Sequence, residues 1–233
     1  MFEFNYFPLS DHLCQHFLDH GYDFYALDLR KSGRSIISPE HDRYISYCCD
    51  LREYHEEITL AIEHIIQQAN NRKRKIVVLG HSTGGLTATL YARTGVRRSE
   101  IDALILSSPY FPPMEFSFLT SILIKIIIFF GLIVYVDPGW SARSLHVSHG
   151  GEWDFDEIKK PMDKMYFSGH YCGAVAAAQQ ELTQKQIPIH CPILLLCSDR
   201  FIRQGKVWHD DYTEGRIFCG TKFSNIRICL FIS

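Results

Sequence analysis

The sequence predicts a single α/β domain: a mostly parallel sheet flanked by helices and interrupted by one large insertion. Three observations predict it. Short β-branched runs alternate with helix-length amphipathic segments, and strands so separated pair in parallel through right-handed crossovers. A glycine-rich turn, Gly80-His81-Ser82-Thr83-Gly84, joins one of these runs to a helical pattern. Finally, 233 residues at 46% hydrophobic content suffice for one sizeable core.

The elements follow in chain order. Leu9 to His20 reads as a helix and Asp23 to Leu29 as a strand. Leu51, Tyr54, Ile58, Ile62, Ile65, Ile66 and Ala69 then recur at helical spacing, up to a break near Asn70-Asn71. The run Ile76 to Leu79 is a buried strand, Gly84 to Arg93 a helix, and Ala103 to Leu106 the next strand. Residues from about Phe111 to Gly169 differ in character. An Ala-rich helix, about Ala174 to Gln184, and an apolar strand, Pro192 to Leu196, come after it.

A G-x-S-x-G between a buried strand and a helix makes a turn so sharp that its serine projects above the sheet edge, while the glycines let strand and helix approach closely. The five residues alone would also fit a glycine-rich helix start; the strand before and the helix after favour the turn. Ser82 is thus the leading functional candidate. On these residues the chain resembles the serine α/β-hydrolases, and within them the monoglyceride-lipase, lysophospholipase and serine-aminopeptidase-like group. Two further stretches carry the resemblance. Asp28-Leu29-Arg30-Lys31-Ser32-Gly33-Arg34-Ser35 looks like the family's D-x-R-G-x-G-x-S loop, with Lys31-Ser32 departing from it. Pro192 to Asp199 looks like the late strand that delivers an acid.

The resemblance implies an α/β-hydrolase fold with a cap insertion, divided as core 1–110, cap or lid 111–170, core 171–213 and a divergent tail 214–233. It implies acyl transfer. Ser82 attacks an ester or amide carbonyl, a histidine takes its proton, and an acid orients that histidine. Asp199 holds the acid position, with a surface turn aspartate as its plain alternative. Thr83, next after the nucleophile, offers one backbone N–H to the oxyanion, and Gly80, His81 and Gly84 complete the turn. The family's base lies some tens of residues beyond the acid. Here only His209 follows Asp199, in a segment that reads as a helix start. The resemblance runs from about Pro8 to about Thr213; the chain is expected to begin about where the family's sequence has just passed its His-Gly oxyanion loop and opening strands, and from about Gly215 the likeness ends. The expectation is a member whose N-terminal strands and C-terminal strand-helix are missing or altered.

Phe116 to Val136 is apolar apart from Ser117, Thr120, Ser121 and Lys125. Its length admits a bilayer span, but a span would put Ser82 and Asp199 on opposite sides of the membrane. A cap helix over the site is therefore the first expectation, and peripheral membrane contact through 116–136 the second.

Other features narrow the classes. A formal net charge of −2 gives no electrostatic case for nucleic acid. Arg72-Lys73-Arg74-Lys75 reads as a solvated loop at a helix end. The eight cysteines form no C-x-x-C pair, and His146, His149 and His170 lack metal-ligand spacing, so no metal is expected. No nucleotide fingerprint appears, and no cofactor is expected. Without a visible secretory signal the expected location is cytoplasmic, with membrane association through the apolar segment. The expected function is a serine hydrolase cleaving a carboxylic ester, such as a lysophospholipid, a monoacylglycerol or a similar acyl substrate, through an acyl-serine. Activity would be slight if no base is present. The alternative is a non-catalytic remnant of the fold or a binding module.

Overall fold

The computed structural model describes residues 7–35, 47–69, 74–111, 118–136, 146–151, 154, 165–184, 188–198, 215–219 and 228–232. Helix α1 (Phe7–Asp19) precedes strand β1 (Asp23–Leu27). A 3-10 turn (Leu51–Tyr54) leads into α2 (His55–Gln68). Then come β2 (Ile76–His81), α3 (Thr83–Thr94), β3 (Ile101–Ser107), α4 (Phe118–Phe130), β4 (Ile133–Val136), β5 (Met165–Ser168) and α5 (Gly169–Gln184). Strands β6 (Ile193–Ser198), β7 (Gly215–Cys219) and β8 (Ile228–Ile232) complete the described strands.

Among the described residues, six strands form one sheet in the order β1-β8-β2-β3-β6-β7, all parallel except β7, which pairs antiparallel with β6. Period-two alternation sorts the strand residues onto two faces. Ile76 and Val78 of β2 and Leu104 and Leu106 of β3 join the large core under α2, α3 and α5. Leu79 and Ile105 instead meet Leu13 and Phe17 of α1. Covering both faces explains why these strands read as continuous apolar runs, as parallel strands do. α2 presents Ile58, Ile62 and Ile65 to the core, each 2% exposed or less. Its entry is set by a capping box, with Asp50 and Glu53 exchanging side-chain and backbone bonds.

The tail supplies two sheet strands. β8 lies between β1 and β2, with Ile228 level with Asp23 and Ile76, and Ile232 level with Leu27 and Gly80. A segment whose sequence no longer resembles the family thus fills an interior position of the sheet.

The loop after β1 closes on itself. The Asp28 carboxylate accepts from Arg34, and Ser35 Oγ donates to the Asp28 carbonyl at 3.1 Å. Gly33 sits at φ +52° with the Asp28 carboxylate where a Cβ would be, so only glycine fits this turn. Arg30 reaches across to Glu56 and Glu57 of α2.

The apolar insertion differs from the expected single cap helix over 116–136. α4 ends at Phe130; Gly131 adopts φ +59°, a left-handed helix stop, and the β-branched run Ile133 to Val136 pairs antiparallel with β5. Among the described residues, no helix is long and apolar enough to cross a membrane.

Candidate active site

β2, β3 and β6 are consecutive parallel neighbours, so their C-terminal ends open at one sheet edge. Ser82 stands at that edge, between β2 and the first residue of α3. Its backbone has φ 50° and ψ −117°. A non-glycine residue there is strained by roughly 1–3 kcal/mol and persists only if its surroundings over-determine it. They do. Ser82 N–H donates to the Ser107 carbonyl at 3.0 Å, and the Ser82 carbonyl accepts from Tyr110 N–H at 2.9 Å and Leu86 N–H at 3.2 Å. The residue is 7% exposed.

The glycines on either side explain the tightness. A Cβ on Gly80 would lie 2.7 Å from the Gly84 carbonyl oxygen and from Gly85 Cα. One on Gly85 would lie 2.9 Å from Pro109 Cβ. Real Cβ atoms do not pack that closely, so β2, α3 and the segment after β3 meet at glycine surfaces. Sequence reasoning singled out Gly84 and missed Gly85; the second glycine of the Gly84-Gly85 pair was the available signal.

Thr83 opens α3, and its N–H has no partner within the helix. It points with the other free N–H groups from the positive end of the helix macrodipole, where a developing oxyanion would be stabilised. Its side chain is buried. The Thr83 hydroxyl lies near enough to the buried Tyr171 phenol to favour that group's ionised form, yet Thr83 Oγ1 makes no hydrogen bond of normal geometry. Burial pushes the Tyr171 phenol well above its ordinary range, with Cys48 adding to the effect. Burial likewise pushes the Cys48 thiol up to about 12, against a hydrogen bond from Tyr54. Both groups are therefore held in their neutral, protonated forms.

His81 ends β2 opposite Ser107 and is half-buried. Asp199 and His209 lie outside the described residues; β6, which ends at Ser198, arrives at the same sheet edge as Ser82. The segment Ser107-Ser108-Pro109, at the end of β3, braces the site. Ser108 adopts φ 43°, its N–H donates to the Leu196 carbonyl at 2.7 Å, and Pro109 packs on Gly85. Among the described residues no group of three or more metal-ligating side chains is assembled.

A family model described as serine aminopeptidase, S33, matches residues 6–200, most of the chain. The chain belongs to the serine aminopeptidase S33 family. A soluble variant of monoglyceride lipase from Saccharomyces cerevisiae, solved with a substrate analog, matches at TM-score 0.54 and 19% identity over 72% of this chain and 56% of that one. That likeness shows the α/β-hydrolase fold for this S33 member. The monoacylglycerol lipase of Paleococcus ferrophilus matches at TM-score 0.39 and 25% identity, over 60% of this chain and 52% of that one. The chain spans about half the length of these solved relatives. Comparison with curated proteins finds no match.

Proposed function

We propose that the chain is a serine hydrolase that cleaves the carboxylic ester of a lipid-like substrate, a monoacylglycerol, a lysophospholipid or a similar acyl compound, through an acyl-serine at Ser82. The observation that carries the reading is the strained Ser82 backbone, held at a sheet edge by bonds to Ser107, Tyr110 and Leu86. Strain retained at a strand end is expected where a side chain must be aimed.

In this mechanism Ser82 Oγ attacks the ester carbonyl and loses its proton to a base. The carbonyl oxygen becomes an anion facing the Thr83 N–H. Collapse expels the alcohol, which takes the proton back, and water then repeats the sequence to release the acid. Asp199 is the proposed acid, because β6 points its last residues toward this edge. His209, the one histidine after Asp199 in the sequence, is the residue to test as base. The apolar helix α4 matches an acyl substrate and would also rest on a lipid interface.

A fluorophosphonate probe tests the reading. Stoichiometric labelling that Ser82→Ala abolishes is the expected result, and His209→Ala and Asp199→Ala should each slow it by at least ~100-fold. A wild-type chain that melts cooperatively but takes no label would favour the alternative of a non-catalytic binding module.

A further inference from the structure

Helix α5 packs against α4 through its first turns and against the segments around Ser82 along its buried face. Its first turn is fitted to α4. Gly169 lies so close to the Ile127 carbonyl that any Cβ would overlap it, and Gly173 sits with Ile128 Cγ2 3.0 Å from where its Cβ would be. Gly169 N–H donates to the Leu132 carbonyl at 2.8 Å, and the His170 ring occupies the space beside Gly131. Along its buried face, Tyr171, Ala174, Val175, Ala178 and Gln179 recur at helical spacing. Tyr171 faces Thr83. Two turns further on, Gln179 is 5% exposed, and its Nε2 donates to the Tyr110 carbonyl at 3.0 Å. Tyr110 is the residue whose N–H holds the Ser82 carbonyl.

A buried amide on a helix face that is otherwise apolar costs stability unless it is bonded. The Gln179 side-chain amide donates outside its own helix, to the loop that fixes Ser82.

We propose that α5 is a positioning element that transmits the seating of the cap helix α4 to the nucleophile turn, and that Gln179 is the residue through which it acts. It touches no reacting atom; it sets the Tyr110 main chain, which sets Ser82. The proposal deepens the serine-hydrolase reading, and its primary test does not depend on that reading.

Amide hydrogen exchange in the whole chain provides that test. The amides of Tyr110 and Leu86 both donate to the Ser82 carbonyl, whereas Val78, in the middle of β2, reports the sheet. Gln179→Met keeps the volume and removes the donor. Gly169→Ala acts from the cap side, where a Cβ must displace α4. Each variant should speed exchange at Tyr110 and Leu86 by about three- to tenfold and leave Val78 unchanged. If Gly169→Ala speeds exchange only within α4 and α5, or if all three reporter amides speed up together, the proposal is overturned. Should Gln179→Met fail to fold, Gly169→Ala alone decides. Fluorophosphonate labelling of Ser82 is the second readout and should slow in both variants by the same factor; an unlabelled wild type would defeat the hydrolase reading and leave the exchange result to judge α5.

Discussion

The main chain at Gly80 lies against that at Gly85 with no room for a methyl group: a Cβ on Gly80 would stand 2.7 Å from Gly85 Cα. The contact joins the end of β2 to the first turn of α3 and sets how far Ser82 is raised. Gly80→Ala must therefore push strand and helix apart. Overpacking of this kind costs about 1–3 kcal/mol, which for a chain of this size lowers Tm by about 2–12 °C. Labelling of Ser82 by a fluorophosphonate should fall by a larger factor than the stability loss accounts for at a temperature where the variant is folded. Wild-type melting together with wild-type labelling in Gly80→Ala would show that the approach is not required.

The core was legible because burial on both faces leaves an unmistakable apolar run. The runs Ile76 to Leu79 and Pro192 to Leu196 read as strands; β2 extends two residues further, to His81, and β6 runs from Ile193, one residue later than read, to Ser198. Helices were read where apolar residues repeat every three or four positions, and α2 follows that pattern. α5 begins five residues earlier than its Ala-rich stretch, because Gly169 and His170 are poor helix formers in isolation and are recruited by their fit to α4. The stop at Gly131 was missed since hydropathy does not register a left-handed turn. β8 was illegible for a different reason. Five apolar residues carry no information about which strands they join; Ile228 to Ile232 take their place from the backbone donors and acceptors that β1 and β2 present. At the site, the motif marks the tight turn at Ser82 between β2 and α3, while the bracing by Pro109 and Tyr110 depends on a contact between segments that no local pattern encodes.

His55 gives the protein an acid-sensitive step. The ring is half-buried, edge-on to Tyr91 at 5.0 Å between centroids, and its Nε2 is buried without a hydrogen-bond partner. Burial, aided by Arg52, pushes its pKa down to about 4 from 6.5. The unfolded chain therefore binds a proton at a higher pH than the folded one. Stability is full above pH ~6.5 and falls as the pH drops from there toward 4, where the folded ring also protonates. Discounted for the ring's partial exposure, the loss is about 1–2 kcal/mol. Urea titrations at pH 7 and pH 4.5 should show it as a difference in unfolding free energy, and His55→Leu should reduce that difference by the same amount. An unchanged difference would remove His55 from the account.

Cys48 and Cys49 are adjacent in sequence and opposite in environment. Cys48 is fully buried, with its thiol pushed up to about 12 by burial, whereas Cys49 is exposed. The thiolate is the reactive species, so iodoacetamide at pH 8 should modify Cys49 in the folded chain and reach Cys48 only after denaturant is added. Fragment-ion mass spectrometry separates the two sites. Equal modification under native conditions would mean that the segment leading into α2 is not packed as described.

α4 turns an apolar face outward. Leu119 is 77% exposed, Leu123 55% and Phe129 81%, with Phe130 at 66% beside it, and Lys125 is the one charge on the helix. Thirteen residues of helix extend about 20 Å, short of the ~30 Å hydrocarbon core of a bilayer, so the surface suits lying in an interface rather than crossing it. Flotation with neutral phosphatidylcholine vesicles should carry the protein to the lipid fraction, and carbonate should release it. Replacing Leu123 and Phe129 together by serine should weaken partitioning by at least ~10-fold, since each large side chain contributes about 1.5 kcal/mol or more when buried. Material that resists carbonate and yields only to detergent would contradict a peripheral mode. A wild-type chain that does not float would refute the interfacial mode for α4.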